Sequence, residues 1–274
     1  MTRAWRNGVI YFVLVVGALF FLTPFAWMVS TSLKTDAQVF SIPPEWIPVP
    51  VMWSNYKRLM SEIPFLLYLR NTVFVTVTSV AFYVASSAVV AYGFSRLKWP
   101  GREALFYALL ATMVLPPQVT LIPQFVMFQK LGWVGTFLPL IVPALTGSAF
   151  AVFLLRQFYM AIPNELSDSA RIDGANEWQI FTRVILPLAR PALATASLFI
   201  FIWTWTDFLS PLIYLTDDRL YTLAIGLQQL SSTRAAAWPL LMAGSLLMSL
   251  PIVALFFFAQ KTFIQGVATG GVKG

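Results

Sequence analysis

Long apolar runs set the pattern of this chain, and they recur at residues 9–31, 71–94, 104–128, 137–158, 191–215 and 240–263. Each is long enough to cross a hydrocarbon core of about 30 Å at about 1.5 Å of rise per residue. A backbone inside lipid has to satisfy its own polar groups, so these runs predict helices. The expectation is an all-α integral membrane protein of six transmembrane helices, one transmembrane domain over residues 1–274, with both ends on one side. The first run could also be a cleaved leader. It is read as a retained span because its apolar core is longer than that of a signal peptide and no small-residue cleavage site follows.

Polar passages separate the runs. Residues 32–70 are rich in Pro and Trp, which suits the membrane interface, and residues 55–69 read as an amphipathic surface helix interrupted at Pro64. A short basic loop covers residues 95–103, and residues 216–239 are again polar. The passage from Asn164 to Pro187 is the one with internal grammar. Asn164 is placed to cap a short helix with Glu165 and Asp168 in its first turn, where a carboxylate is worth roughly 0.3–1 kcal/mol against the helix dipole. Gly174 can close that helix in the left-handed conformation. Asn176 and Gln179 then have capping-box spacing for a second helix with Trp178, Phe181 and Ile185 on one apolar face, ended by Pro187.

At these residues the chain resembles the membrane-spanning permease subunits of carbohydrate ABC importers of the maltose type. That family carries a Glu-Ala-Ala triplet, a glycine after three further residues, and a cytoplasmic ending in Leu-Pro. The counterparts here are Asp168, Ser169 and Ala170, then Gly174, then Ile185, Leu186 and Pro187, with Arg171, Ile172, Asp173 and Ala175 between. Asp168 stands where the family has Glu and Ser169 where it has Ala, so the carboxylate reaches one methylene less far. The resemblance extends over nearly the whole chain, through "SLK" at residues 32–34, "PPEWIP" at 43–48, "NY" at 55–56, "NT" at 71–72, "AYGFSRL" at 91–97 and a terminal "GVKG". It implies a coupling segment over residues 164–187 that meets an ATPase through Glu165, Asp168, Ser169, Ala170, Arg171, Asp173 and Gly174. It also implies a second homologous permease, two ABC ATPase subunits that bind ATP and Mg, an extracytoplasmic solute-binding protein and a sugar substrate, in a prokaryotic cytoplasmic membrane.

Composition narrows the alternatives. Of the 274 residues 58% are hydrophobic and only 11% charged, against about 25% charged in soluble domains. The chain has no cysteine and no histidine, which excludes disulfides, thiolate or imidazole metal sites, a cysteine nucleophile and a Ser-His-Asp triad. The net charge of +7 does not indicate nucleic acid, because the basic residues are scattered between apolar runs. With the N-terminus inside, the cytoplasmic set is Arg3, Arg6, Arg96, Lys98, Arg102, Arg156, Arg171, Arg183, Arg190, Lys261 and Lys273; the smaller outer set is Lys34, Lys57, Arg58, Arg70, Lys130, Arg219 and Arg234. The positive-inside rule therefore puts Asp168 and Gly174 in the cytoplasm, in agreement with the motif.

The chain has no phosphate-binding loop. In residues 266–273, GVATGGVK, a valine separates the last glycine from the lysine and no Ser or Thr follows. The expectation is a non-catalytic subunit without a cofactor of its own. The tail itself reads either as an extension toward the ATPases or as a solvated end. The third run holds Pro116, Pro117 and Pro123 with Gln118 and Gln124, so it bends, either to line a pathway or as a packing kink. Asp207 lies in Trp203-Thr204-Trp205-Thr206-Asp207-Phe208, which resembles the family's "WNDF". This patch fits an interfacial aromatic anchor, and it also fits a sugar contact. Asn71, Gln118, Gln124, Trp203, Trp205 and Asp207 are the candidate pathway residues. A self-contained secondary transporter or channel would need charges well inside the spans, and only Asp207 comes near. An intramembrane enzyme would need a nucleophile beside its base, and no such arrangement is seen.

Overall fold

The computed structural model describes residues 3–233 and 237–271, with side chains over residues 7–231 and 237–260. The described residues form helices and connecting segments with no strand. In order these are α1 (Arg3–Ser32), α2 (Ser54–Glu62), α3 (Phe65–Ser95), α4 (Arg102–Thr112), α5 (Pro117–Lys130), α6 (Leu138–Ile141), α7 (Ala149–Ala161), α8 (Glu165–Ile172), α9 (Glu177–Ile180), α10 (Leu186–Leu188), α11 (Arg190–Trp205), α12 (Leu209–Tyr214), α13 (Leu223–Thr233) and α14 (Trp238–Gly271). Among the described residues, four segments are long and apolar enough to cross a membrane: Asn7–Ser32, Phe65–Ser95, Leu138–Ala161 and Trp238–Gln260. Two bent pairs bring the number to as many as six. They are Arg102–Thr112 with Pro117–Lys130 at 95°, and Glu177–Leu188 with Arg190–Trp205 at 77°.

Several predicted runs thus become broken helices. The third run bends where Pro116 and Pro117 start a new helix after Thr112, because proline cannot donate to the preceding turn. The fifth run stops at Trp205 and resumes at Leu209, so it is two helices where a single helix was expected. Pro64 does interrupt the interfacial segment. Phe65 onward belongs to the long α3, however, so the surface helix is only α2. The Lys273 end of the tail and Arg234 lie outside the described residues, as do the side chains of Arg3, Arg6 and Lys261.

The chain divides into two compact units. Unit one comprises Met1–Leu66 and Ile225–Pro251. In it the fully buried Asn55 donates its side-chain amide to the carbonyls of Ser32 at 2.9 Å and Lys34 at 2.8 Å, while Tyr56 Oη and Ser32 Oγ are 2.9 Å apart. The "SLK" and "NY" patches are therefore one structural joint. Lys34 Nζ is buried 3.8 Å over the ring of Trp27, and burial pushes its ammonium below the usual lysine range. A Cβ on Gly244 would come within 2.3 Å of Leu227 Cδ2, so α14 reaches α13 this closely only because the residue is glycine.

Unit two comprises Leu67–Ala224 and Ile252–Gly274. Its main core joins Tyr92 of α3, Phe106 of α4, Leu155 and Tyr159 of α7, and Ile180, Phe181 and Ile185 of the segment after Gly174. This core fixes the candidate coupling segment to the ends of three helices.

Candidate functional site

The segment after α7 folds largely as its sequence dictates. α8 carries Glu165 and Asp168 in its first turn. It closes with Gly174 at φ 84°, where Gly174 N–H donates to Arg171 O at 3.0 Å and Ala175 N–H to Ala170 O at 2.9 Å, the paired bonds of a Schellman closure. Asn176 and Gln179 then form the capping box, with both reciprocal bonds at 2.9 Å.

Three local expectations are corrected. Asn164 does not cap α8 through its side chain. It has helical φ and ψ, and its Oδ1 accepts from the Arg96 guanidinium, a partner 68 residues away. Pro187 does not end the second helix. A π turn over Phe181–Ile185 widens the backbone just before it, and Pro187 sits in the first turn of α10, where a missing N–H costs little. Trp178 is 63% exposed, whereas Ile180 and Ile185 are fully buried and Phe181 nearly so, so the inward face starts at Ile180.

Arg96, Arg171 and a tyrosine bond this segment directly, and Arg156 braces the helices beneath it. Arg96 donates to the carbonyls of Tyr159 and Ile162 as well as to Asn164 Oδ1. Arg156, buried against the Phe106 ring at 4.0 Å, bonds Phe94 O at 3.1 Å and both Glu103 carboxylate oxygens at 2.9 Å. Tyr92 Oη donates to Glu177 Oε2 at 2.6 Å, Arg171 Nε to Glu177 Oε1 at 2.9 Å, and Arg171 Nη1 to Asp168 Oδ1 at 2.7 Å. Asp168, Arg171 and Glu177 are each more than a third exposed, so these ion pairs contribute at most about 1 kcal/mol apiece. Glu165, Asp168, Ser169, Arg171, Asp173 and Gly174 form an exposed face, and Ala170 packs inward on the core. Tyr92, Arg96 and Glu177 carry the attachment and were not among the residues expected at the coupling segment. Their signal is the spacing of Tyr92 and Arg96, one helical turn apart at the end of α3.

A second site lies elsewhere in unit two. A cavity of about 530 Å³ opens among α3, α5, α6 with its following 3-10 turn, and the α11–α12 break. Its walls include Gln124, Trp205 and Asp207 of the predicted pathway residues, together with Thr76, Tyr83, Trp133 and Tyr214. Asp207 Oδ1 accepts the backbone N–H of Ser210 at 3.2 Å, so the carboxylate caps the start of α12. Irregular backbone in a membrane is tolerated where it lines a cavity, and the start of α5 at Pro117, the 3-10 turn after α6 and the α11–α12 break all contribute to this one.

Asn71, Gln118 and Trp203 do not line the cavity, although their chain neighbours Thr72, Pro117 and Thr204 do. Asn71 is buried and gives its amide to the carbonyls of Arg219 at 2.9 Å and Tyr221 at 3.0 Å, clamping the polar segment before α13. In that segment the Arg219 guanidinium and backbone N–H hold the Asp217 carboxyl down at about 2. Gln118 is exposed at the start of α5. Trp203 is 52% exposed and packs edge-on against Phe150 at 5.1 Å.

Comparison with known proteins bears on the family of the chain. The family model of the binding-protein-dependent transport system inner membrane component matches residues 84–269. The probable ABC transporter permease YurM of Bacillus subtilis is 33% identical over 256 residues, covering 92% of this chain and 83% of that protein. The lactose transport system permease LacG of Rhizobium radiobacter is 30% identical, covering 100% of this chain and 98% of that protein. A solved bacterial ABC transporter involved in the import of the acidic polysaccharide alginate contains a chain with a TM-score of 0.84 and 25% identity, covering 96% of this chain and 99% of that one. With both the sequence motif and the fold in agreement, this chain belongs to the family of inner-membrane permease components of binding-protein-dependent ABC importers.

Proposed function

We propose that this chain forms one half of the membrane pathway of an ATP-driven saccharide importer. It crosses the membrane six times, the two bent pairs each counting as one span, with both termini in the cytoplasm. A second homologous permease completes the pathway, and an extracytoplasmic binding protein delivers the sugar. Two separate ATPase subunits bind ATP and Mg and carry out hydrolysis. The observation that carries the reading is the α8–Gly174–α9 segment. It is a compact projection with its apolar side sunk into the core at Ile180, Phe181 and Ile185 and its acidic side, around Asp168 and Asp173, left exposed. Such a projection can transmit force, because it is fixed to α3, α4 and α7 by packing and by the bonds of Tyr92 to Glu177 and of Arg96 to Asn164. ATP-driven closure of the ATPase pair would move it as a body and rock the spans between outward and inward openings.

The test is purification of the tagged chain from its native membrane. A second permease and an ABC ATPase should come with it. Gly174→Pro, which cannot adopt φ 84°, and Asp168→Lys should each release the ATPase while the chain still inserts. Isolation of the chain alone, or ATPase recruitment unchanged by both substitutions, would remove this assignment.

A further inference from the structure

We propose that the cavity is itself a saccharide site, and that its single charged wall residue, Asp207, makes it accept neutral and amino sugars and reject acidic ones. The inference rests on the importer reading above and goes beyond it in placing sugar recognition on this chain and giving it a charge. At about 530 Å³ the cavity falls within the roughly 300–1,000 Å³ of small-ligand sites. Aromatic residues Tyr83, Trp133, Trp205 and Tyr214 contribute walls on which the apolar face of a sugar ring can lie, and the Gln124 amide offers both a donor and an acceptor.

Two buried hydroxyls point to a ligand independently of this composition. Thr76 is 1% exposed and Thr222 4% exposed; both line the cavity, and neither Oγ1 has a hydrogen-bond partner among the described residues. A hydroxyl withheld from water without a partner is costly, and a sugar hydroxyl, which both donates and accepts, satisfies it. The charge follows from the same wall. Among the described residues no Lys or Arg lines the cavity, and Asp207 is its one carboxylate. A uronate brought there would meet like charge with no cation to offset it, whereas a neutral hydroxyl or an ammonium would find an acceptor.

The experiment uses the intact complex of permeases and ATPases in lipid nanodiscs. Equilibrium binding is measured for three disaccharide probes: cellobiose, the glucosamine disaccharide and digalacturonate. The wild type should bind the first two, with digalacturonate at least about tenfold weaker. Asp207→Asn keeps an Oδ1 acceptor for Ser210 N–H and should close most of that gap. Thr76→Val, which keeps the side-chain shape, should weaken cellobiose by about threefold to tenfold. Digalacturonate binding as tightly as cellobiose to the wild type overturns the proposal without any variant. So does binding of none of the probes, or a gap unchanged by Asp207→Asn. Absence of the ATPase from the purified complex would instead sink the importer reading before any sugar is added.

Discussion

The α8–α10 segment takes its turns and caps from one stretch of chain, Asn164 to Leu188, whereas the cavity draws its walls from α3, α5, α6, α11 and α12. The first is held by a filled core and by the Arg96 guanidinium, which bonds Asn164 and two backbone carbonyls at the end of α7. The second is held open where proline and polar residues interrupt helices. On the proposed roles, the part that transmits force has to be stiff, and close packing makes it so. The part proposed to admit a solute has to leave space and unsatisfied polar groups. The comparison therefore predicts that substitutions in the segment cost stability, while those in the cavity cost recognition.

The largest expected effect is Tyr159→Ala. Its fully buried side chain lies in the core shared with Ile180 and Phe181, and the loss should be about 3–5 kcal/mol, read as a drop in the thermal unfolding of the purified complex. An unchanged midpoint would show that this core does not hold the segment. Next is Arg96→Ala, which strands two carbonyls and Asn164 Oδ1 and should cost about 1.5–3 kcal/mol. Limited proteolysis should then cut faster within residues 162–175. Arg96→Lys should not restore protection, since an ammonium lacks the planar fork.

Gly174→Ala should be milder, at about 1–2 kcal/mol, because a Cβ there meets nothing within 4 Å and the cost is that of the left-handed backbone alone. Gly174→Asn should recover part of it, and equal stability of the two would refute the conformational account. On the cavity side, Gln124→Leu should change stability by no more than about 0.5 kcal/mol while lowering sugar uptake. A large stability loss there would erase the contrast between the two regions. The smallest effect is in acid. The carboxyl of Asp217 is held down at about 2, so its contribution is complete above the usual aspartate range and is lost as pH falls through about 2. Hydrogen exchange at Tyr221 and Leu223 should rise over that window and not at higher pH.

Much of the segment was legible in the sequence because its signals are local. The Gly174 closure and the Asn176–Gln179 capping box each need residues at most a few positions apart, and both form. The misread positions each answered to something distant. Asn164 gave up its cap for Arg96, Trp178 was left outside a core whose inward face is set by Tyr92 and Tyr159, and Pro187 was absorbed by a π turn. Gln124, Trp205 and Asp207 could be flagged as polar or aromatic residues in apolar runs, but so could Asn71, Gln118 and Trp203. Nothing in the chain order separates the two sets.

The sequence by itself determined that this is a helical membrane protein of the importer family, with a helix–glycine–helix projection between its fourth and fifth apolar runs. Long apolar runs admit only helices in lipid, and the projection's caps are encoded within a turn or two. Tertiary structure alone decided that the fifth run breaks after Trp205, which polar residues share a cavity and which basic group holds the projection. Those outcomes depend on residues more than sixty positions apart, such as Arg96 bonded to Tyr159, or Thr76 and Asp207 sharing the wall of one cavity. Local propensity carries no information about that distance.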